Sequence, residues 1–176
     1  LGYSKKIIYR NKALINDDIY VTGNLGDSFV GLQILKNKIK VSKKFTNYFV
    51  QKYYLPDIQL KLTKKLLNFA NTSIDLSDGL IDDLGKMIND QNLSFSLNEK
   101  KVPISNNLLK IIKKKTLKKI KFVSNGDDYQ ILFTASKNKS RIIAQTSNNL
   151  GIKISKIGKI CSYKKRSVII DEKGKE

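Results

Sequence analysis

Apolar and polar residues alternate through Asp18-Ile19-Tyr20-Val21-Thr22, a period of two that predicts a strand closed by Gly23. The loop Gly23-Asn24-Leu25-Gly26-Asp27-Ser28 follows, with Asp27 or Ser28 as the cap of a weakly amphipathic helix through Leu35. Residues 41–54 are aromatic and polar, and Leu55-Pro56 opens a further helix whose apolar positions Leu60, Leu62, Leu66, Leu67 and Phe69 fit a helical face approximately. A short strand over 72–76 comes next. The clearest helical pattern runs from Ser77 to about Asn89, with Leu80, Ile81, Leu84, Met87 and Ile88 on one face and Asp82, Asp83, Lys86 and Asp90 on the other. In this reading Ser77 is the N-cap and Asp78 faces the positive end of the helix dipole.

Leu93-Ser94-Phe95-Ser96-Leu97 alternates strictly and predicts a strand. A short helix follows Pro103 through Leu108, Leu109 and Ile112. Asn125-Gly126 is a turn signal. Residues 129–134 alternate as a strand, 138–150 read as a helix ended by Gly151, and strands near 152–158 and 167–171 complete the order. No repeat or low-complexity linker interrupts it. Strands interleaved with helices predict an α/β fold in layers, a mixed sheet covered by helices.

Composition narrows the chemistry. The 176 residues suffice for one domain with its own core. No apolar run approaches the roughly 18 residues of a membrane span, and no leader pattern is visible, so a cytoplasmic location is expected. Histidine is absent and Cys161 is the single cysteine, which removes imidazole bases, serine triads, disulfides and cysteine-based zinc sites. Cys161 itself reads as a small side chain, buried at least in part. Chemistry must rest on carboxylates, hydroxyls, lysine, arginine and backbone amides.

The net charge of +19 suggests nucleic acid, but only Arg10, Arg141 and Arg166 are arginines, and the lysines are spread along the chain. Arginine is the residue that forks onto phosphates and base edges, so a basic nucleic-acid-binding module is the lesser alternative.

Three stretches could carry chemistry. Asp75-Leu76-Ser77-Asp78 places two carboxylates and a hydroxyl where strand meets helix. A hard divalent cation with a phosphate at the helix N-terminus would suit them. Spacing alone favours the plainer reading, a capped acidic first turn. Asn125-Gly126-Asp127-Asp128-Tyr129 either presents carboxylates to a ligand or simply enters a strand, as Asn, Gly and Asp commonly do. The Gly23–Ser28 loop lacks the lysine of a P-loop and reads as a tight strand-to-helix turn.

Taken together and in order, these stretches resemble one family, the thiamine-monophosphate kinases, within the superfamily that includes aminoimidazole-ribonucleotide synthetase. The match is carried by Asp18–Gly23 with Leu25-Gly26-Asp27-Ser28 and Gly31-Leu32, by Ser73–Leu80 with Asp83-Leu84-Gly85, and by Ser124–Tyr129 with Leu132-Phe133-Thr134.

The resemblance implies transfer of the γ-phosphate of ATP to thiamine monophosphate with Mg2+. Asp75 and Asp78 correspond to magnesium ligands, Ser77 to an ATP contact, and Asp127 to a substrate-contacting glutamate, here one methylene shorter. Arg10, in Arg10-Asn11-Lys12-Ala13, is similar to an ATP-binding arginine. No catalytic proton-transfer residue is implied. The resemblance further implies that residues 1–16 link from a preceding domain supplying more magnesium ligands and the homodimer core. Residues 17–176 would then form the C-terminal domain, truncated at its end. The isolated piece would be inactive. Another ATP-using synthetase of the same superfamily is the nearer alternative.

Overall fold

The computed structural model describes residues 6–163, 166–171 and 173–175, leaving the Lys115 side chain aside. Six strands form one mixed sheet: β1 (Asp18–Thr22), β2 (Thr72–Asp75), β3 (Leu93–Asn98), β4 (Ile131–Ala135), β5 (Ile154–Ser162) and β6 (Val168–Ile170). Their order is β2-β4-β1-β5-β3-β6, antiparallel throughout except for the β3–β6 pair. Helices α1 (Asp27–Leu35), α2 (Lys43–Tyr54), α3 (Leu60–Leu66), α4 (Leu80–Ile88), α5 (Asn106–Lys115), α6 (Ile120–Val123) and α7 (Ser140–Leu150) surround it. The expected α/β layering holds.

Side-chain alternation gives the sheet one buried face and a second that is buried over β1 and β4 and open along β5, where Lys156 and Lys159 are exposed. On one, Ile19, Val21, Leu132, Phe95, Leu97 and Ile157 meet Leu80, Leu84 and Met87 of α4. On the other, Tyr20 and Phe133 stack with ring centroids 5.3 Å apart and are covered by Leu62 and Leu66 of α3 and Ile143 of α7. A third cluster lies between helices, where Val30 of α1, Phe49 of α2, Leu108 and Ile111 of α5, and Phe122 pack together. Gly31 is required there, because a Cβ would run into the Phe49 carbonyl at the α1–α2 crossing.

Several boundaries differ from the sequence expectation. The stretch 41–54, given no element, is mostly the helix α2, whose Phe45, Tyr48 and Phe49 fall at helical spacing against α1 and α5. The helix after Pro56 begins four residues later, at Leu60. The strand expected from Tyr129 begins at Ile131, because Tyr129 has a positive φ of 49°. Gly151, with φ 62°, does end α7.

Of the N-terminal segment, residues 6–16 lie against the domain. Ala13 is buried in the α4-side core, the carbonyls of Tyr9 and Arg10 accept from the Thr72 hydroxyl, and the buried Asp17 accepts from the Leu14 amide.

Candidate functional site

The antiparallel pairing of β4 with both β1 and β2 brings three distant loops to one end of the sheet. Val21 pairs with Leu132 and Asp75 with Ile131, so the segments after β1, after β2 and before β4 emerge side by side. Asp127 N–H donates to the Ser77 carbonyl (3.1 Å) and Tyr129 N–H to the Leu76 carbonyl (2.9 Å). In return, Leu76 N–H donates to the Gln130 carbonyl (2.8 Å). Gly126 is set so closely on the Ser77 carbonyl that a Cβ would overlap it. Its glycine is needed for that approach; the left-handed residues of the turn are instead Asp127 (φ 69°) and Tyr129.

The loop after β2 is organised by a residue that the sequence pattern put on the exposed face. Asp83 is completely buried. Its Oδ2 accepts from the backbone N–H groups of Ser77 (2.9 Å), Asp78 (3.0 Å) and Gly79 (3.1 Å). Its Oδ1 accepts from Lys86 Nζ at 2.7 Å. Lys86 also pairs with the Asp78 carboxylate, which is 60% exposed. These two partners, Asp78 first, push the Lys86 ammonium pKa up to about 12.

The expected cap is therefore corrected. Helix α4 starts at Leu80 with Gly79 as N-cap (φ 123°), and Ser77 makes no side-chain cap. The amides that were to receive a phosphate are turned inward to Asp83, while Asp75 and Asp78 face solvent. Asp83 reaching back to the Gly79 N–H supplies one half of a capping box, drawn one residue further along, while Asp83 N–H to the Gly79 carbonyl is the helix's own first backbone bond. Its position three residues after Leu80 and next to Leu84, along the apolar stripe of the helix, was the signal available for it.

The loop after β1 is tied in by two further buried acids, Asp27 and Asp128. Neither Asp27 nor Ser28 caps α1; the N-cap is Gly26, with φ 87°. Asp27 accepts from Tyr48 Oη (2.8 Å) and Ser105 Oγ (2.7 Å), and burial raises its carboxyl pKa despite those bonds. Asp128 Oδ2 accepts from the Gly26 N–H at 2.7 Å. Burial, against the Gly26 and Ser28 hydrogen bonds, pushes the Asp128 pKa up to about 7. Asp128 thus clamps the β1 loop to the turn that carries Asp127.

Asp75, Ser77, Asp78 and Asp127 are gathered at this sheet end. Arg10 is not. It lines a neighbouring cleft of about 330 Å³ with Tyr9, Asn11, Lys86, Asn89 and Asp90. Lys86 is common to that cleft and to the Asp78–Asp83 pair. Among the described residues no group of three or more acidic, cysteine or histidine side chains is assembled around a metal position. Cys161 is half-buried in β5, apart from these loops. No helix among the described residues is long and apolar enough to cross a membrane.

This sheet order, with helices on both faces and strand-end loops converging at one end, defines an aminoimidazole-ribonucleotide-synthetase-like α/β domain. Within that class the chain is related to the thiamine-monophosphate kinase family across nearly its whole length. It is 33% identical over 172 residues to the thiamine-monophosphate kinase of Buchnera aphidicola subsp. Schizaphis graminum, covering 97% of this chain and 53% of that protein. It is 39% identical over 140 residues to that of Buchnera aphidicola subsp. Acyrthosiphon pisum, covering 77% and 43%. Among solved structures, the Aquifex aeolicus thiamine monophosphate kinase superposes with a TM-score of 0.79 at 26% identity, covering 99% of this chain and 56% of that one. AaThiL complexed with AMPPCP and TMP gives 0.76 at 25%, covering 96% and 52%. No family model matches. The chain spans about half the length of the curated relatives it matches.

Proposed function

We propose that this chain is the C-terminal half of an ATP-dependent kinase that phosphorylates thiamine monophosphate to thiamine diphosphate, with residues 17–176 as its domain and 1–16 as the link from a first half. The observation that carries this reading is the convergence of all three family-like segments on one sheet end, in a chain related to thiamine-monophosphate kinases. Nucleotide and substrate follow by analogy from the solved relative complexed with AMPPCP and TMP. AMPPCP is ATP with a methylene in place of the β–γ bridging oxygen.

The side chains suit that chemistry. Asp75 and Asp78 are exposed oxygen donors at the end of β2, and a magnesium ion takes only one or two protein carboxylates, filling its shell with phosphate oxygens and water. When bound, the ion would neutralise phosphate charge. Asp78 already carries a cation, Lys86, so it is a position where positive charge is stabilised. Ser77 lies between these carboxylates in the loop and Asp127 on the loop paired with it, and we assign them to nucleotide and acceptor respectively. Phosphoryl transfer depends mainly on positioning and charge neutralisation, and a phosphate acceptor is itself nucleophilic, so no general base is assigned. A first half would add further ligands and a homodimer contact, and the protein would work in the cytoplasm.

Calorimetric titration of the chain with Mg-ATP tests the reading. Binding that weakens in Asp75→Asn and Asp78→Asn supports it, and so does a lower affinity for Mn2+ in both variants. Affinities unchanged by both substitutions would sink the metal assignment.

A further inference from the structure

Resting on that reading, we propose that Lys86 is a phosphate-binding residue, a cation stored on Asp83 and Asp78 that contacts the nucleotide's phosphate chain between the Arg10 cleft and the Asp75–Asp78 loop. Three observations lead to it. First, the loop amides cannot receive an anion, because Ser77, Asp78 and Gly79 all donate to Asp83. A phosphate beside this loop must be met by a metal ion or by side-chain donors instead. Second, Lys86 is the residue shared by both candidate regions. It lines the roughly 330 Å³ cleft with Arg10, and its ammonium bridges Asp78 and Asp83. Third, an ammonium has three N–H donors. The two carboxylates engage two, which leaves one for an incoming oxygen.

The two partners also differ in kind. Asp83 is fully buried and fixed by three amides, so it anchors the lysine. Asp78 is mostly exposed, so its bond to Lys86 is the one that a divalent cation can replace. A metal arriving at Asp78 with a phosphate chain would therefore free a second Lys86 donor where the phosphates lie. The Arg10 guanidinium and the Lys86 ammonium would then mark the path of the chain.

The test titrates the full 176-residue chain with Mg-ATP, with Mg-tripolyphosphate and with Mn2+ alone. Lys86→Met should weaken Mg-ATP and Mg-tripolyphosphate alike by roughly tenfold or more, the loss expected for one charge-assisted hydrogen bond. It should leave Mn2+ binding equal or tighter, since a competing cation has gone. Lys86→Gln keeps a donor for Asp83, guards against a folding defect, and should show the same loss; Lys86→Arg should restore most of the affinity. Wild-type binding of Mg-ATP with both neutral variants unchanged would overturn the role of Lys86 while leaving the nucleotide reading intact. No binding of either phosphate ligand by the wild-type chain at millimolar concentration would overturn the nucleotide reading and this proposal with it. Loss of Mg-ATP with Mg-tripolyphosphate unaffected would also overturn it, because Lys86 would then be serving some other part of the nucleotide.

Discussion

Replacing Asp83 with alanine should cost about 3–5 kcal/mol of stability, a large share of what a domain of this size has. Three N–H donors lose their acceptor at once. A buried donor left unpaired costs about 1–3 kcal/mol. The Gly79 amide is buried and should bear that cost in full, while Ser77 and Asp78 are reached by water and should bear part of it. Asp83→Asn keeps the shape and one acceptor oxygen but loses the charge-assisted component and presents an NH2 group to Lys86. About 1–2 kcal/mol is expected from it. Urea unfolding gives both values, provided the m-value stays that of the parent. Amide hydrogen exchange at residues 77–79 supplies the local readout, slow in the parent and accelerated in Asp83→Ala. A loss below about 1 kcal/mol for alanine, or unchanged exchange at those three amides, would refute the assignment of Asp83 as the organiser of the loop.

The pH dependence should be unusual in sign. Asp128, with its pKa pushed up to about 7 by burial, holds its proton more tightly folded than unfolded. Stability should therefore fall as pH rises from about 4 to about 7, by up to ~1.4 kcal/mol per pH unit from this group, and then level off. Burial raises Asp27 in the same direction. Asp128→Asn should flatten the slope of urea midpoints between pH 5 and 8 (roughly the two sides of that titration), and an unchanged slope would assign it elsewhere. Gly126→Ala forces a Cβ into the Ser77 carbonyl and should destabilise by roughly 3 kcal/mol, with faster exchange of the Asp127 amide; a neutral result would mean that the two loops are not held in contact. The isolated chain should form no thiamine diphosphate from ATP and thiamine monophosphate, since it spans about half of its relatives; chromatographic detection of product would contradict this.

Much of the fold was legible because its elements bury one face. The alternation at 18–22 and 93–97 and the apolar stripe of 80–88 each match an observed element within a few residues. Helix α2 was missed although Phe45, Tyr48 and Phe49 stand at helical spacing, because that short aromatic stripe is set among lysines, asparagine and other polar residues. The three site segments were legible by type, and their convergence was not. It comes from β4 pairing on both sides, with Val21–Leu132 separated by 111 residues and Asp75–Ile131 by 56, which no local pattern encodes. Asp83 was misplaced for a related reason. A carboxylate on a helix is expected in water unless several donors meet it, and here the donors belong to the preceding loop.

That misplacement bears on how the site works. Were Ser77 the cap, the helix N-terminus would offer free amides to a phosphate, and Asp75 and Asp78 would sit close to an anion they repel. With Asp83 taking those amides, the 77–79 backbone is already satisfied and the loop presents two carboxylates and the neutral Ser77 hydroxyl. Such a surface attracts cations, not anions. A phosphate approaching it would be met by an intervening metal, by the Ser77 hydroxyl or by the side chains of Lys86 and Arg10. On the proposed reading, cation binding at Asp75 and Asp78 and phosphate binding in the adjoining cleft would be separate functions joined by Lys86, which pairs with Asp78 and lines the cleft.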